Sequence, residues 1–276
     1  MRARRPPSPE FDRVLAGEPR PDLARVALEI ARDFHPGLDV DSQIARIDAL
    51  AARARIRRRE GSHPLQALGQ LNWVLYVEDG FDGDAEDYFD PRNSMLNEVL
   101  DRRLGIPISL SILYQALAGR LGVELAAVNS PSHFVLRLEG EAPTFIDPFH
   151  RGDLLSLDAC RRRIGELSGW PGPIPAAKLA PCEPRAVVAR MLRNLKGIHV
   201  GREDFASALV VQRRLAAASE DPLERRDLGM LCLQLDRPGE AVDPLEAYLK
   251  ARPDADDAKA VGNLLAAARS TLARWN

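Results

Sequence analysis

The chain has 276 residues, of which 45% are hydrophobic and 28% are charged, and its formal net charge is −2. This length allows two domains with buried cores, and the charge excludes a global attraction to nucleic acid or to an anionic membrane surface. The three cysteines are scattered, without the paired spacing of a disulfide framework or a zinc site, so they predict reduced thiols and a cytoplasmic protein.

The N-terminal segment 1–20 is rich in proline and predicts a flexible start, followed by a first domain over 21–167. The basic residues at its beginning precede prolines and not an apolar stretch, so we expect neither a signal peptide nor a membrane anchor. Apolar residues then recur with a helical period, which predicts a helical cap of three helices. These helices are Asp22–Phe34, Ile44–Arg59 and Leu65–Tyr76.

A second group of elements predicts an α+β core. Asn93 or Ser94 can cap a helix that runs to Arg103, Gly105 ends it, and Pro107 is well placed to begin the next helix, which extends to Leu121. Three short apolar runs follow and predict a small antiparallel sheet. These strands are Val123–Asn129, Phe134–Glu139 and Thr144–Ile146.

One constellation within this core predicts a particular chemistry. His133 and Asp147 lie at neighbouring strands, and Pro107 begins the helix that precedes them. This spacing is typical of a papain-like or transglutaminase-like acyl-transfer core, in which a Cys at the first turn of the helix is activated by the His and the Asp orients the His. Because Pro107 stands where the Cys would be, the pair is either the remnant of a triad or a buried structural pair.

Longer motifs support a resemblance to a known family. The segments Asp90–Ser94, Gly105–Leu110 and Ile146–Phe149 resemble the signature of the bacterial SirB family, and the likeness extends over about residues 20–276. The resemblance implies a transglutaminase-like domain joined to tetratricopeptide-type repeats. It implies the fold more firmly than an activity, because the biochemical role of that family is poorly defined.

Two further interpretations of the core stay open. Ser109 is a candidate replacement nucleophile, although a Ser in the first turn of a helix more often caps a free N–H group. His133, Asp147 and His150 have the side chains of metal ligands, but their spacing matches no known metal motif, so we expect no metal and no cofactor.

A polar cluster precedes the core helix and has a structural and a functional interpretation. An Arg among Asp and Asn residues usually fixes a loop through paired hydrogen bonds, and the same side chains can also form a binding surface beside His133. The cluster consists of Asp90, Arg92, Asn93, Asn97 and Arg103.

A Pro-rich linker over 168–184 predicts a domain boundary, and every later segment has a helical period. Residues from Leu228 to Pro253 fit the offsets of a tetratricopeptide unit, so 185–276 predicts a repeat domain with a final helix over Asp256–Trp275. Pro244 lies inside one of its helices and is expected to kink or shorten it.

The sequence thus predicts a non-catalytic transglutaminase-like protein with a repeat domain that binds a protein or peptide. Arg193 and Arg226 are expected on the binding face, where their forked side chains favour an acidic ligand. The alternative is a hydrolase or acyl transferase in which His133 and Asp147 activate a Ser or a water. The oligomeric state, the pathway and the identity of the partner do not follow from the sequence.

Overall fold

The computed structural model describes residues 7–56 and 63–275. The chain divides into two units, Met1–Met191 and Leu192–Asn276. The first combines helices with a small antiparallel sheet, and the described part of the second is helical. The predicted α+β core followed by an all-α array is therefore confirmed. Among the described residues, none of the helices combines the length and the apolar character needed to cross a bilayer.

The first unit contains seven α-helices, a short π-helix and three 3-10 turns in its described residues. The predicted helix Leu65–Tyr76 is α-helical only to Asn72 and continues as the π-helix Trp73–Glu78. The end predicted at Arg59 for the helix before it lies outside the described residues. The α-helices are α1 (Pro9–Leu15), α2 (Leu23–Ala31), α3 (Val40–Ile56), α4 (Pro64–Asn72), α5 (Leu96–Arg102), α6 (Pro107–Arg120) and α7 (Leu157–Ser168).

Helix α1 differs from the expected flexible start over 1–20. Phe11 is 0% exposed, and the Glu29 carboxylate accepts hydrogen bonds from the backbone N–H groups of Glu10 and Phe11, at 3.1 and 2.8 Å. A buried acceptor therefore satisfies free N–H groups of the first helical turn. Residues 1–6 of the expected flexible segment lie outside the described residues.

The main sheet has four antiparallel strands in sequence order: β3 (Ala126–Ser130), β4 (His133–Leu138), β5 (Thr144–Asp147) and β6 (Asp153–Leu155). A two-stranded parallel pair that the sequence did not predict joins β1 (Asp82–Gly83) to β2 (Leu104–Gly105). Helix α6 begins at Pro107 as expected, and it packs against β4 and against the 3-10 turn Pro148–His150.

The Pro-rich segment 168–184 packs in the core of the first unit. Ile174 and Leu179 are 1% exposed and join a cluster with Val135 and Phe145 of the sheet and Ile164 of α7. The division between the units falls later, within α8 (Pro184–Gly201), and not in the segment where the sequence analysis places the boundary.

The helices of the second unit that follow α8 pack against one another in sequence order. Leu245 of α11 (Pro238–Ala251) is fully buried, and a Cβ atom on Gly229 of α10 (Pro222–Gln234) would lie 2.5 Å from its side chain, so these two helices approach closely at a glycine. Helix α11 runs through Pro244 and is not shortened by it. The helices after α8 are α9 (Phe205–Ala218), α10 (Pro222–Gln234), α11 (Pro238–Ala251) and α12 (Ala258–Trp275).

Candidate functional site

His133 and Asp147 meet at one end of the two inner strands of the main sheet. His133 is the first residue of β4 and Asp147 is the last residue of β5, and the two strands are antiparallel neighbours. The His133 Nε2 atom lies 2.9 Å from Asp147 Oδ2, and the two side chains are 3% and 0% exposed. The adjacency that the spacing predicts is therefore present, as a buried hydrogen bond.

The Asp147 carboxylate is shared by more donors than the sequence indicates. His150 Nδ1 lies 2.8 Å from the same Oδ2 atom, and Arg163 Nη1 lies 3.1 Å from it. Arg163 belongs to α7, which the sequence analysis did not identify as an element, so this contact could not be predicted from the local pattern. One carboxylate oxygen thus accepts from two imidazoles and one guanidinium.

This arrangement fixes the charge of Asp147. Burial alone would raise the pKa of the Asp147 carboxyl, but the hydrogen bonds from His133 and His150 outweigh it and hold that pKa well below its usual range. Asp147 is therefore ionised at neutral pH. Asp147 Oδ2 accepts a hydrogen bond from His133 Nε2–H. In a neutral imidazole with its proton on Nε2, the lone pair is on Nδ1.

The turn after β5 is held on several sides. The Tyr76 hydroxyl donates to the carbonyl of Pro148 at 3.0 Å, and Asn72 Nδ2 donates to the carbonyl of Gly152 at 3.0 Å. In return, Arg151 Nη2 donates to the carbonyl of Tyr76 at 2.6 Å. The π-helix and the end of α4 thereby position the turn that carries Asp147 and His150.

Neither serine of α6 is placed as a nucleophile. The Ser109 hydroxyl donates to the carbonyl of Asn93 at 2.6 Å, and its oxygen accepts from the Ile106 N–H at 3.1 Å. Ser109 therefore caps the helix, which is the structural alternative that the sequence offered for it. Ser111 is 0% exposed, and its hydroxyl has no hydrogen-bond partner within the described residues.

The cysteines do not supply a reactive thiol beside the pair. Cys160 of α7 is 0% exposed, and burial, assisted by the negative charge of Asp147, raises the pKa of its thiol to about 12. Burial also raises the pKa values of Cys182 and Cys232. A thiol with a raised pKa is a poor nucleophile at neutral pH because little of it is thiolate.

The predicted polar cluster is mainly a loop-fixing network. Asn93 is 0% exposed, its Nδ2 donates to Asp84 Oδ2 at 3.1 Å, and its Oδ1 accepts from Arg102 at 2.9 Å. Asp90 is 3% exposed and caps the 3-10 turn Pro91–Ser94. The next helix, α5, begins at Leu96 after Met95 and has no side-chain cap, so the predicted cap of that helix by Asn93 or Ser94 is wrong. Arg92 pairs with Asp90 at 2.5 Å.

Two residues of this cluster have other places. Arg103 ends α5 in the left-handed conformation with φ 62° and is exposed, so Arg102, which the sequence analysis did not name, is the arginine of the network. Asn97 is 5% exposed, and its Oδ1 has no partner among the described residues. Of the five predicted side chains, only Arg92 and Arg103 are exposed enough to contact a ligand.

In the second unit, Arg193 and Arg226 are engaged in ion pairs. Arg193 Nε lies 2.8 Å from Glu224 Oε1, and Arg226 Nη1 lies 2.7 Å from Asp257 Oδ2. Arg226 also pairs with Asp227 at 2.9 Å. An acidic ligand would have to compete with these carboxylates for both guanidinium groups.

The same three side chains that surround Asp147 are the candidate metal ligands. One ligand atom from each of His133, Asp147 and His150 lies within 4.8 Å of the others. The Arg163 guanidinium, 3.1 Å from Asp147 Oδ2, places a fixed positive charge on the oxygen that a cation would use. The geometry therefore favours a hydrogen-bonded cluster over a metal centre.

Two family models match the chain. Residues 41–193 match the transglutaminase-like superfamily, and residues 195–266 match the tetratricopeptide repeat. The site described above lies within the first match, and the second match lies within the second unit.

Sequence relatives cover most of the chain. A UPF0162 protein of Xylella fastidiosa is 33% identical over 236 residues, which are 84% of this chain and 84% of that protein. A UPF0162 protein of Vibrio cholerae is 31% identical and covers 84% of this chain and 87% of its own length. The human F-box only protein 21 is 38% identical over 139 residues, which are 47% of this chain and 21% of that protein.

The crystal structure of menin resembles this fold with a TM-score of 0.52. That structure reveals the binding site of menin for the Mixed Lineage Leukemia protein. The sequence identity is 13%, and the alignment covers 88% of this chain and 60% of the menin chain. A likeness at this identity shows the fold alone.

Proposed function

The chain belongs to the transglutaminase-like superfamily, and we propose that it is a non-catalytic member that binds a protein or peptide. In this proposal the His133–Asp147 pair is kept as a buried part of the fold, and the repeat domain contributes to binding. From the motifs around Pro107 we also infer the narrower assignment to the bacterial SirB family.

The single observation that carries the proposal is the residue at the first position of α6. Pro107 begins that helix, where the free N–H groups and the helix dipole of a catalytic core would lower the pKa of a thiol. A proline has neither a thiol nor a hydroxyl. The surrounding side chains do not compensate, because Ser109 is used as a cap and Cys160 is buried with a raised pKa.

The binding role is supported by the second unit. Arrays of tetratricopeptide helices bury one face against their neighbours and leave another as an extended surface for a partner. Menin combines a similar fold with a binding site for another protein. We propose for this chain only that it too has a site for a protein. We place the chain in the cytoplasm because Cys160, Cys182 and Cys232 are free thiols.

One observation favours an enzyme as the second candidate. No hydrogen bond occupies His133 Nδ1 within the described parts of the chain, so its lone pair is available to a water molecule. A hydrolase of this kind would use His133 as general base and Asp147 to orient it. It would need no nucleophile from the protein.

Two measurements on the purified full chain separate the candidates. The first follows the incorporation of a labelled primary amine into casein and the hydrolysis of p-nitrophenyl acetate, for the wild type and for His133→Asn. We expect no turnover that depends on His133. The second is affinity capture from a bacterial lysate with both forms as bait, and we expect both to retain the same partner, which untagged chain displaces. Turnover by the wild type that His133→Asn abolishes would establish the enzyme instead.

A further inference from the structure

A row of aromatic rings connects the buried pair to the surface of the first unit. The His133 ring meets Phe149 edge to face at 6.1 Å between ring centroids. Phe149 meets Tyr88 at 6.3 Å, and Tyr88 meets Phe89 at 5.3 Å. Phe89 is 69% exposed. We call Phe149, Tyr88 and Phe89 the aromatic strip; its inner end contacts His133 and its outer end is open to solvent.

The exposed end of the strip lies on a fixed turn. The Asp87 carbonyl accepts from Asn93 Nδ2 at 2.8 Å and from the Asp90 N–H at 3.0 Å, and the Asp87 N–H donates to Asp84 Oδ1 at 2.9 Å. At the inner end, a Cβ atom on Gly83 would lie 2.6 Å from the Phe149 ring, so this ring is seated on a glycine. The loop-fixing network around Asn93 therefore fixes the turn that carries the exposed aromatic ring. The predicted polar cluster would thus support a binding surface without contacting the ligand itself.

The charge around the strip is unbalanced at its outer end. Glu86 and Asp87 directly precede the aromatic pair and are exposed, and within the described residues neither carboxylate lies within ion-pair distance of a cation, although Asp87 is close enough to Arg92 for a coulombic interaction. The nearby carboxylates differ, since each lies within 3.5 Å of an arginine: Asp82 of Arg151, Asp84 of Arg102 and Asp90 of Arg92. Two carboxylates without a direct ion pair are thus next to Tyr88 and Phe89, and Arg92 offsets part of the charge of Asp87.

We propose that the aromatic strip binds a basic side chain, Arg or Lys, in a peptide segment of a partner protein. A cation over an aromatic face is attracted by the ring, and the aliphatic stem of Arg or Lys packs on apolar surface while its charged end stays near carboxylates. Phe89, Glu86 and Asp87 offer these features together. This inference rests on the proposed function and names the chemistry by which the first unit would recognise a segment of the partner.

The cation belongs at the outer end of the strip. Burial raises the pKa of the Tyr88 hydroxyl, and the positive charge of Arg190 acts on it in the opposite direction, so a cation already lies near the middle ring. The Phe89 end, with Glu86 and Asp87, is where an additional positive charge is stabilised. The remainder of the peptide would then pass along Tyr88 and Phe149 towards His133.

The test uses the full chain and short fluorescein-labelled peptides of one Gly/Ser/Ala sequence that differ only in a central pair of residues, Arg-Arg, Lys-Lys, Gln-Gln or Glu-Glu. Fluorescence anisotropy measures their affinities for the wild type, Phe89→Ala and Glu86→Gln with Asp87→Asn. The matched controls are Leu167→Ala, an apolar residue that is 48% exposed, and Asp12→Asn with Glu141→Gln, two other exposed carboxylates.

We expect the Arg-Arg and Lys-Lys peptides to bind at least about tenfold more tightly than the Glu-Glu peptide. Phe89→Ala should weaken both basic peptides, and Glu86→Gln with Asp87→Asn should remove the discrimination by charge, while the controls bind like the wild type. Equal binding of all four peptides, or variants that bind like the wild type, would overturn the inference. If a captured partner is retained equally by Phe89→Ala, this inference fails and the proposed function stands; if no partner is captured and turnover depends on His133, the proposed function itself fails.

Discussion

Asp147 of the first unit and Glu224 of the second unit are both buried carboxylates, and they differ in the donors that surround them. Asp147 accepts from two imidazoles and one guanidinium at a single oxygen. Glu224, at the start of α10, accepts from Arg193 at 2.8 Å, Lys196 at 2.9 Å and Gln212 at 3.1 Å. The donors to Asp147 thus include two imidazoles, whereas those to Glu224 are two permanent cations and an amide.

The surroundings of the two carboxylates distinguish them. The donors to Glu224 come from α8 and α9, so this carboxylate joins three consecutive helices and has a structural explanation. The donors to Asp147 include His133, whose second nitrogen is free of hydrogen bonds from the described residues, and His150, which is 38% exposed and continues towards the aromatic strip. Asp147 therefore orients a histidine that lies beside an aromatic surface, whereas the side-chain donors to Glu224 all come from neighbouring helices.

Asp147→Asn should produce the larger loss of stability. The amide removes the negative charge that pairs with the Arg163 guanidinium and accepts from His133 and His150, and breaking a buried ion pair in this way costs about 3–5 kcal/mol. Urea unfolding, combined with hydrogen exchange of peptides from β4 and β5, measures it within the first unit. The matched control is Asp153→Asn, since Asp153 pairs with the same Arg163 at 2.9 Å but is 51% exposed, and it should cost less than about 1 kcal/mol. Equal costs for the two variants would contradict the importance of the Asp147 cluster.

Glu224→Gln should cost less, about 1–3 kcal/mol. Its donors have second partners, because Lys196 also lies 3.0 Å from Asp227 and Arg193 lies 3.1 Å from the Ser219 hydroxyl. Removal of the charge therefore leaves neither cation without an acceptor. Hydrogen exchange of peptides from α8 to α10 gives the readout within the second unit. A loss as large as that of Asp147→Asn would remove the distinction between the two carboxylates.

The stabilisation by Asp147 should depend on pH in the acid range. Burial opposes its ionisation, but the hydrogen bonds from His133 and His150 place its folded-state pKa well below the value of about 3.9 of an unfolded chain. Ionised Asp147 therefore stabilises the fold fully above that value, and this contribution is lost as the pH falls from there towards the folded-state pKa. The difference in unfolding free energy between wild type and Asp147→Asn should shrink by about 1 kcal/mol over the first pH unit below 4. A difference that grows as the pH falls would show that the carboxyl has the opposite shift.

Local patterns predicted most of the fold, because the helices and strands concerned are bounded by caps, glycines and prolines. Helix α2 begins after Asp22, whose carboxylate accepts from the backbone N–H groups of Ala24 and Arg25, and α6 begins at Pro107 as its fixed φ favours. The adjacency of His133 and Asp147 also followed, since two short strands of a small sheet are neighbours when a tight turn joins them.

What the sequence did not predict depends on contacts between distant segments. Arg163 reaches Asp147 from α7, and Arg102 rather than Arg103 enters the network because α5 ends at Arg103 in the left-handed conformation. Nothing in the local pattern distinguishes two successive arginines at the end of a helix. The aromatic strip was missed for the same reason, because Tyr88 and Phe149 are 61 residues apart in the chain and meet only after folding.

The smallest effect is expected from the arginines that the sequence placed on a binding face. Arg193 is 42% exposed and Arg226 is 28% exposed, and each forms ion pairs with carboxylates of its own unit, so Arg193→Ala with Arg226→Ala should cost about 0–2 kcal/mol in total. Because Glu224 and Asp257 already occupy both guanidinium groups, we expect the double variant to retain a captured partner as well as the wild type does. The matched control is Arg269→Ala, which removes an arginine paired with Glu246 on the same unit. If the double variant loses the partner while the control keeps it, the ion pairs open on binding, and the helical face, not the aromatic strip, is the main contact surface.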